Sequence, residues 1–146
     1  MFFLKKMKIF TLSLLFSVVS IVCSAQNVTL NLQGIRSSKG QIEVSIYKNA
    51  DQFNDEKPSK YLYFSKDNLK DGNLKITFSL AEGNYGVTVL DDEDMSRSMT
   101  FKMGFYPKEG VAFSNFRFKG MSKPKFEDFK FQVSGVTSIN GYMRYF

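Results

Sequence analysis

Histidine and tryptophan are absent from this chain of 146 residues, cysteine occurs once and proline three times. Without histidine there is no Ser-His-Asp triad, no Cys-His pair and no imidazole metal ligand. The side chain that most readily carries a proton near neutral pH is missing with it. A single cysteine, Cys23, excludes a disulfide framework within the chain. The longest apolar run, Ile9 to Val22, falls short of the roughly 20 residues that span a bilayer. No helical periodicity extends beyond about two turns, and there is no internal repeat or low-complexity tract.

What is present begins with a leader. Lys5, Lys6 and Lys8 form a basic stretch, the apolar run follows, and Cys23-Ser24-Ala25 supplies small residues at a cleavage point. The reading is a signal peptide over residues 1–25, with Gln26 starting the mature chain. Val22 directly before Cys23 is a poor context for lipid attachment. The expected location is therefore exported: periplasmic, outer-membrane associated or extracellular, with no membrane span after leader removal. The formal charge is +6, but three of the lysines lie in the leader, which holds no acid, so the mature chain carries +3. Most of the basicity belongs to export, and nucleic acid is not an expected partner.

Residues 26–146 read as one domain made of strands. Val28, Leu30 and Leu32 alternate with Thr29 and Asn31, and Ile42, Val44 and Ile46 with Glu43 and Ser45. Leu74, Ile76, Phe78 and Leu80 repeat the pattern, as do Tyr85, Val87 and Val89. Period-2 alternation marks strands with one buried face. Weaker strands are expected at Phe101 to Met103, Phe116 to Phe118, Phe129 to Val133 and Thr137 to Tyr145. Ser37-Ser38-Lys39-Gly40 reads as a hairpin joining the first two strands, and Asp71-Gly72-Asn73 and Glu82-Gly83-Asn84 as further turns. Short helical pieces are expected at Ala50 to Asn54 and Lys125 to Asp128. The fold class is all-β, a single antiparallel sandwich of about seven strands, with a closed barrel as the alternative.

Several short stretches in fixed order carry a resemblance. They are Gly40-Gln41-Ile42-Glu43-Val44, Phe78 to Leu80, Gly83-Asn84-Tyr85-Gly86, the acids Asp91 to Asp94, Pro107-Lys108-Glu109-Gly110, Phe113-Ser114-Asn115 and Pro124 to Asp128. In this order they resemble the secreted bacterial family catalogued as domain of unknown function 2141. The resemblance covers nearly the whole mature chain and implies an immunoglobulin-like or transthyretin-like sandwich, with no characterised activity. Typical members carry His-Asp-Glu-Asn-Gly-Asn-Gly-Lys-Leu-Asp where this chain has Asp91 to Thr100. That family version is similar to a calcium loop. Here Asp92, Asp94 and Ser96 keep the alternate oxygens, while Arg97 replaces the turn glycine and Thr100 the closing acid.

Asp92, Asp94 and Ser96 are thus candidate calcium ligands, set against a plain solvated acidic loop. The basic and aromatic tract Phe116-Arg117-Phe118-Lys119 reads either as a stacking surface or as alternating inward rings and outward cations, and the alternation favours the second. Tyr47, Phe53, Tyr61, Tyr63 and Phe64 read as a loop folded over one sandwich edge, or as an aromatic patch for a partner. Loops at sandwich ends commonly carry recognition. Asp91, Glu93, Pro107, Glu109, Phe113 and Asn115 are accordingly the binding-loop candidates. The expected function is a non-catalytic binding or structural module at the cell envelope, with a protein or glycan partner and no cofactor. The alternative is a calcium-stabilised domain using Asp91 to Asp94. A glycoside-active enzyme working through carboxylates such as Asp92 and Glu109 carries the least weight.

Overall fold

The structure, a computed structural model, describes residues 20, 23–98, 101, 102 and 106–146. Most of residues 1–25, with Thr100, Met103 and Gly104, lies outside the described residues. Two sheets pack face to face. The smaller holds β1 (Ala25–Gln33) between β10 (Thr137–Tyr142) and β4 (Leu74–Ala81). The larger runs β3 (Lys60–Ser65), β2 (Gln41–Tyr47), β5 (Gly83–Asp92), β8 (Val111–Phe113), and β9 (Phe131–Val133) also pairs with β5. A small ladder joins β6 (Phe101–Lys102) to β7 (Tyr106–Pro107). The all-β sandwich is as expected, with eight strands in the two layers.

Alternation makes the inner core. Val28, Leu30 and Leu32 of β1, with Ile76 of β4 and Ile139 of β10, face Ile42, Val44 and Ile46 of β2 and Val87 and Val89 of β5. All are buried. Apolar faces of this kind gain roughly 25 cal/mol for each Å² withdrawn from water.

Three features depart from the sequence reading. First, β1 and β2 lie in different sheets, so residues 37–40 cross between layers and form no hairpin. Gly40 makes that crossing feasible. Its φ is +73°, and a Cβ there would collide with the Asp92 carbonyl. Second, β10 runs parallel to β1, with Val28 opposite Thr137 and Gln33 opposite Tyr142. The sandwich is therefore not wholly antiparallel. Third, Phe116 to Phe118 form no strand. Phe116 makes one bridge to Phe113, and Phe118 packs edge-on against Phe113 and Phe116. Three strands were also hidden: β3, read as a loop, and β7 and β8, among the binding-loop candidates.

A second core lies on the outer face of the larger sheet. The short helices α1 (Ala50–Asn54) and α2 (Phe126–Phe129) close over it. Tyr47, Phe53, Phe113, Phe126 and Phe129 cluster there, with Phe53 and Phe129 edge-on at 4.9 Å. Edge-to-face pairs of this kind contribute beyond their buried area. Gly86 lets the rings seat directly on the sheet, since a Cβ there would meet Phe129 at 2.5 Å and Phe126 at 2.7 Å. Every residue of β2 is buried as a result, including the polar alternates Gln41, Glu43 and Ser45.

Candidate functional site

Two polar constellations stand out. One closes the end of the sandwich. Lys66 directly follows β3, and Asp91 is the last inward position of β5, opposite Ile42 in register. Their side chains are 1% and 0% exposed and form an ion pair. The Lys66 ammonium also donates to the carbonyls of Ser37 at 3.1 Å and Lys39 at 2.6 Å. Tyr145 donates its hydroxyl to Asp91 Oδ2 at 2.6 Å and accepts the Arg36 N–H at 3.2 Å. Burial, then the bond to Asp91, pushes the Tyr145 phenol above its ordinary value. Arg36 lies 4.4 Å over the Tyr145 ring and donates from Nε to Glu93 at 2.8 Å. Burial disfavours the charged Glu93, but Arg36 and the Ser37 hydroxyl hold it below its ordinary value. The ammonium has three acceptors for its three protons, so this network joins chain segments and leaves no reactive group open.

The acidic run divides between roles. Asp92 ends β5 on the outer face. Its Oδ1 accepts the Ser96 N–H at 2.9 Å, and its Oδ2 accepts from Arg97 N at 3.0 Å and Gln41 Nε2 at 2.9 Å. Asp94 Oδ1 also accepts the Ser96 N–H, at 3.0 Å. Ser96, through its hydroxyl and its N–H, lowers the Asp94 carboxyl below its ordinary value. Asp92, Asp94 and Ser96 do come together, but the carboxylates face N–H donors, as in a turn that holds itself closed. Among the described residues no group of three or more cysteine, aspartate or glutamate side chains is placed to hold a metal ion.

This loop delivers Arg97 to the second constellation. Arg97 has φ +56°, uncommon for a residue with a Cβ, and its guanidinium sits 4.5 Å over the Tyr63 ring. There it meets a cavity of about 510 Å³ on the outer face of the larger sheet. The sheet register builds the floor. Tyr63, Glu43, Leu90 and Val111 form one cross-strand row, and Tyr61, Ser45, Thr88 and Phe113 the next. Tyr47 and Phe53 complete the wall, while Glu56 and Lys123 stand at the rim. Lys123 lies 4.4 Å over Phe53 and 3.7 Å from Glu56.

Glu43 is the unusual member. It is 7% exposed, and its Oε1 accepts from the Ser45 hydroxyl at 3.4 Å. Its Oε2 has no hydrogen-bond partner among the described residues. Burial pushes its carboxyl above the ordinary value. Ser45 and the charge of Arg97 oppose this, and Asp92 adds to it. An acceptor withdrawn from water without a partner costs on the order of 1–3 kcal/mol.

The residues singled out from the sequence spread across these places. Asp91 and Glu93 belong to the buried network, and Glu109 is itself buried at 4% exposure. Pro107 lies in β7. Asn115 ties the chain to β10: its N–H donates to the Asn140 carbonyl and its Oδ1 accepts the Asn140 N–H. Phe113, with Tyr47, Phe53, Tyr61 and Tyr63, does line the cavity. Glu43 and Lys66 were missed. Glu43 sat at an outward alternate of β2 and read as solvated, and nothing local marks Lys66 as buried.

No curated protein and no solved structure matches this chain. A family model described as an uncharacterized protein conserved in bacteria, DUF2141, matches residues 30–140. That span runs from the middle of β1 into β10 and takes in most of both sheets, the cavity and all of the buried network except Tyr145. The chain belongs to the DUF2141 family.

Proposed function

We propose that this protein is an exported, non-catalytic binding module of the cell envelope that takes a small polar molecule into the cavity over β2 and β5. The observation that carries this reading is Glu43, a carboxylate in a buried position whose free oxygen belongs to a residue lining a cavity. Natural structures rarely leave such an atom without a partner. A ligand with a hydrogen-bond donor would satisfy it. The surroundings suit a small ligand: mostly apolar and aromatic walls with a few convergent polar groups, in a volume within the usual range for such sites. The loop that follows the acidic run also takes part, since it supplies Arg97 and Ser98 to the lining.

Heteronuclear NMR of the purified protein against a library of small polar metabolites tests this reading. Shifts confined to β2, β3 and β5 around Glu43, with none in Tyr61→Ala, are the expected result. Shifts that cluster elsewhere, or that survive the substitution unchanged, refute the cavity as the site.

A further inference from the structure

We infer that the cavity binds a neutral saccharide ring. This assignment rests on the binding reading above and goes further by naming the ligand class. Three observations select it.

The first is charge. The described lining holds Glu43 and Glu56 against Arg97 and Lys123, a balance of two acids and two bases. An anion would meet the buried Glu43 carboxylate. A cation would find the aromatic faces contested, because Arg97 already lies over Tyr63 and Lys123 over Phe53. A neutral ligand meets neither obstacle.

The second is hydrogen bonding. The free Glu43 oxygen calls for a donor, and the Ser45 and Thr88 hydroxyls in the same lining both donate and accept. A ring bearing several hydroxyls matches such a set, because each hydroxyl also donates and accepts. A site built around a hydroxyl discriminates strongly against analogues that lack it, since its own polar group is then left unpaired.

The third is the platform. Tyr61 and Tyr63 sit two residues apart on β3, the edge strand of the larger sheet, so both project from one face. They are 50% and 38% exposed. Arg97 braces Tyr63, so the Tyr61 ring is the one that suits the C–H face of a sugar, while both phenols keep a polar end for water or a hydroxyl.

The test combines a glycan array with calorimetry on the purified protein. The calorimetric probes are D-glucose, D-galactose, N-acetyl-D-glucosamine and their β-linked disaccharides. Tetramethylammonium chloride and sodium phosphate represent the cationic and anionic classes. Saturable binding of a neutral sugar is expected. It should weaken about tenfold or more in Glu43→Gln, the range for a hydrogen bond to a charged group. It should also be lost in Tyr61→Ala, whose melting temperature stays near that of the parent because Tyr61 is half-exposed. Binding of tetramethylammonium or phosphate at Glu43 in place of sugar overturns the saccharide assignment and keeps the cavity as a site. Sugar binding undiminished in both variants overturns the cavity. A silent array together with silent calorimetry overturns the saccharide assignment.

Discussion

Lys66 and Glu43 are two buried charged side chains handled in opposite ways. Lys66 has an ion-pair partner and two carbonyl acceptors, so its burial is compensated. Removing it strands the Asp91 carboxylate. Lys66→Met should lower the unfolding free energy by about 3–5 kcal/mol, while Lys66→Met with Asp91→Leu should recover much of that loss. Urea titration of the three proteins checks this, and an equal loss in the double variant would contradict it. Glu43 lacks such compensation, and its folded-state carboxyl titrates above the ordinary 4.5. The native state therefore holds that proton more tightly than the unfolded chain. Its contribution to stability is complete below about pH 4.5 and is lost as pH rises through the raised folded value. Glu43→Gln should consequently be more stable than the parent at pH 7, by about 1 kcal/mol, with the difference closing toward pH 4. Melting curves across that range would show it.

At the scale of elements, the second core is what covers β2 on its outer face. Phe129 is 1% exposed and meets Phe53, Phe113 and Phe126 edge-on. Phe129→Ala should cost about 3–5 kcal/mol. Gly86→Ala drives a methyl group into the same rings and should cost about 1–3 kcal/mol. In combination the two losses should sum to less than their separate values, because the new methyl occupies space the ring has left. Chemical denaturation of the four-member cycle measures the coupling; strict additivity would mean the two residues do not share that space. The acidic loop is an element of a different kind. Its carboxylates serve N–H donors, so Asp92→Ala should loosen residues 93–98 and free Arg97 from Tyr63. Faster amide hydrogen exchange at Ser96 and Arg97 would report that.

Across the whole molecule, the last strand closes the sandwich. β10 contributes Ile139 to the core and six register pairs to β1, and beyond it Arg144 bonds Val111 while Tyr145 reaches Asp91. A chain ending at Gly135 should show no cooperative thermal transition, whereas the full chain should show one. The loop geometry also bears on calcium. With both Asp92 oxygens and Asp94 Oδ1 engaged by N–H groups, excess calcium against excess chelator should leave the melting temperature unchanged. A calcium-dependent rise that disappears in Asp92→Asn with Asp94→Asn would instead place a cation in this loop, by mass action on the native state.

Strand alternation was legible because it is local: β1, β2, β4 and β5 each bury every second residue against one sheet interface, and the turn glycines mark their ends. Order of matched segments made the family legible too. Pairing was not. The residues 37–40 crossing rests on contacts with Lys66 and Glu93, and the parallel β1–β10 ladder on pairs more than a hundred residues apart, which no short window contains. The second core escaped notice because alternation predicts a solvated outer face for β2, and only the folding back of Phe53 from α1 and the arrival of Phe113 and Phe129 from distant segments cover it. For the same reason Glu43 passed as a surface residue. The sequence by itself determined the strands and their apolar faces, because a two-residue period follows from backbone geometry alone. The tertiary structure decided which faces were covered twice and which carboxylate was left without a partner, because desolvation depends on everything that packs above a residue.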